Sequence, residues 1–281
     1  NVMIMMGDCE YDPISGNQDE EYIELINPNL YAVDISGWQL DGGAEHTFRP
    51  GTVILAGGQL YVTPNAKAFR SRTIGPRGGQ GLLVQGDYKG HLSSWGETVN
   101  LLNGDGDTVD TLTYTGTPSD QQQNLRITEI MYNPAPGGFD SGQYEFIELR
   151  NIGTAALTLD GVTLTEGVSY TFPQYGNAVL EPGVCIVIAR NRAAFISRYG
   201  DSVPLAAGTF TGNLDNAGEP VKLEDADGNT ILDFKYRNWY PATDGLGFSL
   251  VIEDATDPDL DRWGKSGAWQ PSREEGGSPG L

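Results

Sequence analysis

Three spacings of oxygen-bearing residues in this chain are candidates for chemistry. In Asn103-Gly-Asp105-Gly-Asp107, three side chains alternate with glycine in the manner of a calcium loop. Asp254, Asp257, Asp259 and Asp261 fall within eight residues of an irregular stretch whose carbonyls could add to a hard-cation site. Glu21/Glu24 and Glu145/Glu148 place two carboxylates three residues apart, as an acid–base pair would require. On a strand, however, residues three apart point to opposite faces, so neither pair converges on one bond unless a bulge intervenes. The expectation is that Glu148 lies beside Arg150 and that Glu24 meets a cross-strand partner.

Few other residues offer chemistry. His46 and His91 are the only histidines. His91 has Ser93 and Ser94 nearby but no nucleophile elbow and no obvious acid. No zinc-protease, paired-cysteine, phosphate-loop or dinucleotide signature occurs. The reading is that the protein is not an enzyme and needs no cofactor, with calcium at the acidic loop the one candidate.

The 281 residues include 38 glycines, with turn formers spread throughout, which points to short strands joined by many turns. The net charge of −21 divides into −10 over 1–123 and −11 over 124–281, so the acidity belongs to both halves. Such a surface repels phosphate backbones and anionic lipid heads, arguing against nucleic acid and bare membrane. No apolar run reaches the length of a membrane span, and membrane insertion is not expected. The first seven residues, NVMIMMG, lack the charged start of a signal peptide; the sequence reads as a mature or excised piece of something longer. Cys9 and Cys185 read as two separate buried thiols.

The chain is written twice. EEYIELINPNLYAVDISGWQL (20–40) lies over YEFIELRNIGTAALTLDGVTL (144–164) without a gap. HTFRPGTVILAGGQLYV (46–62) parallels YTFPQYGNAVLEPGVCIVI (170–188), placing His46 over Tyr170 and marking it as a packing residue. GETVNLLNGDGDTVDTLTY (96–114) lies over GEPVKLEDADGNTILDFKY (218–236). This overlay tests the calcium loop. Counting from Asn103 or from Asp225, the sixth position is Thr and the twelfth is Tyr, where an EF-hand needs Gly and Glu. Both acidic clusters join two apolar strands, so each reads as a hairpin turn. The four aspartates of the later loop read as solvated, with Trp263 and Trp269 packing on the domain.

Each copy reads as all-β, with two short helices opening on Asn65 and Asn191 as caps. Seven to nine strands are expected per copy, a β-sandwich. The run EIMYNP…EFIELRN…LTLDGVTL…YTFP…LEPGVCIVIA…LDNAGEPVKLEDADGNTILDFKY resembles the lamin tail domain, in register over nearly all of both copies. Copy one departs at its start, where MMGDC stands for ITEI. The resemblance implies two tandem immunoglobulin-like β-sandwiches, residues 1–118 and 124–281. A linker at 119–123 would separate them, and residues 237–281 would form a C-terminal extension. It also implies a non-catalytic structural or protein-interaction module of a secreted or surface bacterial protein.

Two binding surfaces suggest themselves, for a protein or glycan partner at the cell exterior. Lys67, Arg70, Arg72 and Arg77 form a basic island in an acidic domain, suited to an anionic partner. Tyr88, His91 and Trp95 belong to copy one alone, and exposed coplanar rings there would make a carbohydrate-binding platform. An accessory domain attached to a hydrolase is a further alternative.

Overall fold

The computed structural model describes residues 3–281 and clusters into two compact units, Asn1–Pro118 and Ser119–Leu281. In unit 1, the β-branched and aromatic runs become strands β1 (Met5–Glu10), β2 (Tyr22–Ile26), β3 (Val33–Asp34), β4 (Gln39–Asp41), β5 (His46–Thr47), β6 (Val53–Ile54) and β7 (Gln59–Thr63). After helix α1 (Ala66–Ser71) come β8 (Leu83–Gly86), β9 (Gly96–Leu102) and β10 (Thr108–Thr115). One sheet runs β1-β2-β7-β8, the other β10-β9-β4-β5, and β3 pairs with β6. Alternation decides which side chains are inside. Ile23, Leu25, Leu60 and Val62 of the first sheet meet Leu40, Val99 and Leu101 of the second, all fully or nearly fully buried.

Unit 2 repeats the plan. Helix α2 (Asp120–Asn124) is followed by β11 (Leu125–Met131), β12 (Phe146–Asn151), β13 (Leu157–Thr158), β14 (Thr163–Glu166), β15 (Val168–Thr171), β16 (Val179–Leu180) and β17 (Cys185–Ala189). Helix α3 (Arg192–Tyr199), β18 (Thr211–Gly212), β19 (Pro220–Glu224) and β20 (Thr230–Lys235) complete the repeat. The extension adds β21 (Leu250–Ile252) and β22 (Trp269–Pro271), giving sheets β17-β12-β11-β21-β22 and β18-β15-β14-β19-β20. The protein is thus all-β, with two tandem immunoglobulin-like sandwiches. Among the described residues, no helix is long and apolar enough to cross a membrane.

Both expected helix caps form. Asn65 accepts hydrogen bonds from the Lys67 and Ala68 amides, and Asn191 from those of Ala193 and Ala194. The first strand of copy one, for all its divergent sequence, pairs as its counterpart does. A bulge separates Met6 from Cys9 against β2, and another separates Ile127 from Glu129 against β12.

The stretch 119–123 falls within unit 2. Ser119 caps α2 in a reciprocal capping box with Gln122, and its hydroxyl donates to Asp225 at 2.7 Å. Gln122 is buried, and its amide donates to the Thr230 carbonyl. Polar side chains that read as linker are thus spent on caps inside unit 2. Cys9 and Cys185 are both free, but only Cys185 is buried; Cys9 is partly exposed.

Candidate functional site

The paired glutamates do not converge. Glu21 enters the sandwich end, where its carboxylate accepts from the Tyr88 hydroxyl at 2.8 Å and the Leu92 amide at 3.0 Å. Glu24 faces the other side of its strand and accepts from the Tyr61 hydroxyl directly across the ladder. In unit 2, Glu145 accepts from the Leu214 amide at 2.9 Å and from Arg190 at 2.8 Å, while Glu148 accepts from Thr128 and the Gly280 amide. All four are buried. Burial raises Glu21, Glu145 and Glu148 above the usual carboxylate range, opposed by these hydrogen bonds. Each glutamate therefore ties a loop or neighbouring strand to the sheet, with little lone-pair capacity facing solvent.

The same economy recurs at two other places. Glu97 accepts from the Ser93 amide and the Tyr114 hydroxyl, and Glu219 from the Asp215 amide and the Tyr236 hydroxyl. Asn27 donates to the Tyr31, Ile54 and Leu55 carbonyls, and Asn151 to those of Ala155 and Leu180. The resemblance of the copies is thus a resemblance of buried polar clasps as well as of apolar pattern.

The acidic turns are hairpin chemistry. Asn103 Oδ1 accepts from the Asp105 and Asp107 amides, as Asp225 Oδ1 accepts from those of Asp227 and Asn229. Gly106 and Gly228 take the positive φ at the tips, 86° and 87°. In the extension loop, Asp254 accepts from Thr256 and Asp257 pairs with Arg262 at 2.6 Å. Asp259 accepts from the Asp261 amide, with Lys265 at 3.8 Å. These carboxylates point to local donors rather than to one centre. Among the described residues, no group of three or more acidic, histidine or cysteine side chains is placed to hold a metal ion.

Tyr88, His91 and Trp95 do not form a common platform. Tyr88 is buried with its hydroxyl on Glu21, whereas His91 and Trp95 lie exposed, His91 at 3.5 Å from Glu21. The loop folds onto its own core because Glu21 supplies the acceptor that a buried tyrosine needs. The basic island divides in the same way. Arg72 is 4% exposed, lies over the Tyr22 ring and donates to the Glu20 and Pro76 carbonyls. Lys67, Arg70 and Arg77 remain on the surface. His46 accepts the packing role read from the repeat: it meets Phe48 edge-on at 5.0 Å, as Tyr170 meets Phe172 at 5.0 Å.

The two sandwiches share bulge, clasps and hairpins in register. The lamin tail domain model matches residues 4–116 and again 118–238. The chain belongs to the lamin tail domain family. Lamin tail domains are immunoglobulin-like, non-catalytic interaction modules, in keeping with the structural use of every buried carboxylate. A search of curated proteins returns no match.

Within this lamin tail pair, the exposed surface is where the copies differ most. The Asn27 clasp and its neighbour Asn29, which donates to the Met3 carbonyl, gather Met3, Leu30, Tyr31 and Leu55 at one corner of unit 1. All four are exposed, Leu30 by 97% and Leu55 by 70%. The matching corner of unit 2, held by Asn151, carries Asn124, Thr154, Ala155 and Glu181. No sequence motif marks this corner. Only the placement of the repeat onto the fold makes the substitution of four apolar residues visible.

Proposed function

We propose that the chain is a tandem attachment module of a secreted or cell-surface bacterial protein, binding a protein partner through the Asn27 corner of unit 1. The observation that carries this reading is the set Met3, Leu30, Tyr31 and Leu55, solvent-facing around a rigid clasp whose counterpart in unit 2 is polar or small. Apolar side chains gathered at one place on an otherwise acidic surface mark a contact site for another protein. A glycan partner draws less support, since burial of Tyr88 leaves Trp95 without a coplanar neighbour.

The test transplants the unit 2 residues into unit 1, as Leu30→Thr, Tyr31→Ala and Leu55→Glu together. Labelled protein is then incubated with cell envelopes and with extracted surface proteins. Retention of the parent and loss of retention in the variant, with both melting alike, is the expected result. Equal retention of both, or release by soluble sugars, would remove the proposal.

A further inference from the structure

One side of unit 2 is covered by chain that unit 1 does without. Residues 276–280 lie against β11 and β12 but make no ladder with either strand. They are held by side chains instead. The Ser278 amide donates to Glu129 Oε1 at 2.7 Å and its hydroxyl to Glu129 Oε2 at 3.2 Å. The Gly280 amide donates to Glu148 Oε2 at 2.5 Å, and Tyr199 donates to the Gly276 carbonyl. Pro279, between the two anchoring amides, is buried. Gly276 and Gly277 enter at φ of 99° and 93°, and a Cβ on Gly277 would come within 2.5 Å of Glu129 Oε1.

Unit 1 shows what this sandwich is without that segment. Glu24 occupies the place of Glu148 but is served from within the domain, by the Tyr61 hydroxyl and the Asp8 amide. The fold thus closes without a strap. In unit 2, Met131, Phe146, Val187, Ala189 and Phe195 form a cluster separate from the main core, so withdrawal of the segment leaves the sandwich interior closed. What it uncovers is an apolar strip with two carboxylates facing outward.

We propose that residues 276–280 are a self-ligand in an extended-peptide groove of unit 2, and that the same groove takes a Gly-Ser-Pro-Gly segment from another chain. Recognition consists of two backbone amides, on either side of one buried proline, donating to Glu129 and Glu148. This is independent of the Asn27 corner, and its failure would leave that reading untouched.

Protons are coupled to occupancy. Glu129 faces Ser249 just before β21, Glu148 of β12, Ser278, and more distantly Tyr199 of α3 and Cys185 of β17; Glu148 faces Thr128, Cys185, Arg150 and Gly280. Burial pushes the Glu129 carboxyl up to about 7, against the hydrogen bonds of Ser249 and Ser278. An emptied groove rehydrates both carboxylates, so emptying is favoured as pH rises through about 7.

The test uses the full chain carrying Gly280→Pro, which removes the second amide and unseats the strap. A labelled peptide of sequence GGSPGL is added and its fluorescence anisotropy followed. Saturable binding to the variant is expected, at least about tenfold tighter than to the parent, whose groove is filled. Affinity should fall several-fold between pH 5 and pH 8, and N-methylation of the peptide glycine that corresponds to Gly280 should abolish it. A variant that keeps the parental melt yet binds no peptide at millimolar concentration overturns the proposal. So does equal binding of the N-methylated peptide.

Discussion

The first strand of each unit has the same bulge and the same inner neighbours, but a different fate on its outer edge. In unit 1, β1 is an edge strand, and the Met6 amide donates to the side chain of Asp110 at 2.7 Å. In unit 2 the residue matching Asp110 is Leu232, and β11 is paired outward with β21, Glu129 opposite Val251. Trp263 donates to the Ile127 carbonyl, and Trp269 to the carbonyl of Trp263. One domain thus ends its sheet with a carboxylate, the other with more sheet. An inward-facing charge and a covering segment are alternative protections for the same exposed ladder.

The covering segment makes unit 2 the more vulnerable to single changes. Trp269→Ala removes a fully buried ring stacked on Phe234 and should cost about 3–5 kcal/mol. Calorimetry should then show the unit 2 transition lowered and that of unit 1 unmoved; equal lowering of both would erase the distinction drawn here.

Smaller, and shared by both units, is the loss of a clasp. Glu21→Ala leaves the buried Tyr88 hydroxyl and the Leu92 amide without their acceptor, at about 2–3 kcal/mol. Glu145→Ala does the same to the Leu214 amide and also strands Arg190, so denaturant midpoints should fall at least as far. A negligible effect of either would mean that water replaces the carboxylate freely.

The pH response should separate the units again. Glu129, Glu145 and Glu148 in unit 2, and Glu21 in unit 1, are raised above 4.5 by burial. A folded state with raised carboxyls holds protons more tightly than the unfolded chain. Its contribution to stability is full below about 4.5 and is lost as pH rises through the folded value. Unit 2 should therefore lose on the order of 2 kcal/mol more than unit 1 between pH 4.5 and 8, and Glu129→Gln should flatten the difference.

Least disruptive to stability, though not to behaviour, is Asp110→Leu. It frees the Met6 amide and gives β1 the side chain its counterpart already faces. Sedimentation velocity should then show concentration-dependent self-association that the parent lacks. Calcium marks the bottom of the scale, since Asp257 and Asp259 already face Arg262 and Lys265: a few millimolar should move neither transition by as much as about one degree.

Much of this architecture was legible because it is periodic or local. Asn65 and Asn191 announce their helices, and Asp-Gly between apolar runs announces its hairpins. The pleat rule alone separates Glu21 from Glu24. What escaped was decided at a distance. Arg72 reads as a surface residue and Tyr88 as either a platform ring or part of a loop packed on its own core; Tyr22 and Glu21 draw them inward from far along the chain. Ser119 and Gln122 read as linker because their partners, Asp225 and Thr230, lie more than a hundred residues on. The Asn27 corner is visible only by difference, once each residue of one copy has been laid on its counterpart.

Gly7 carries one more implication, for how the chain reaches this state. Two sandwiches of the same plan on one polypeptide are at high effective concentration to each other while folding, and exchange of equivalent strands is the error such repeats are prone to. A side chain at Gly7 would run into the Glu24 carboxylate and Ile26, whereas the matching residue in β11 is Thr128, whose hydroxyl is donated to Glu148. The second copy's first strand therefore clashes in the first sandwich, and the first copy's strand would leave Glu148 short of a donor. The divergent opening MMGDC works as a key that lets each strand recognise its own domain.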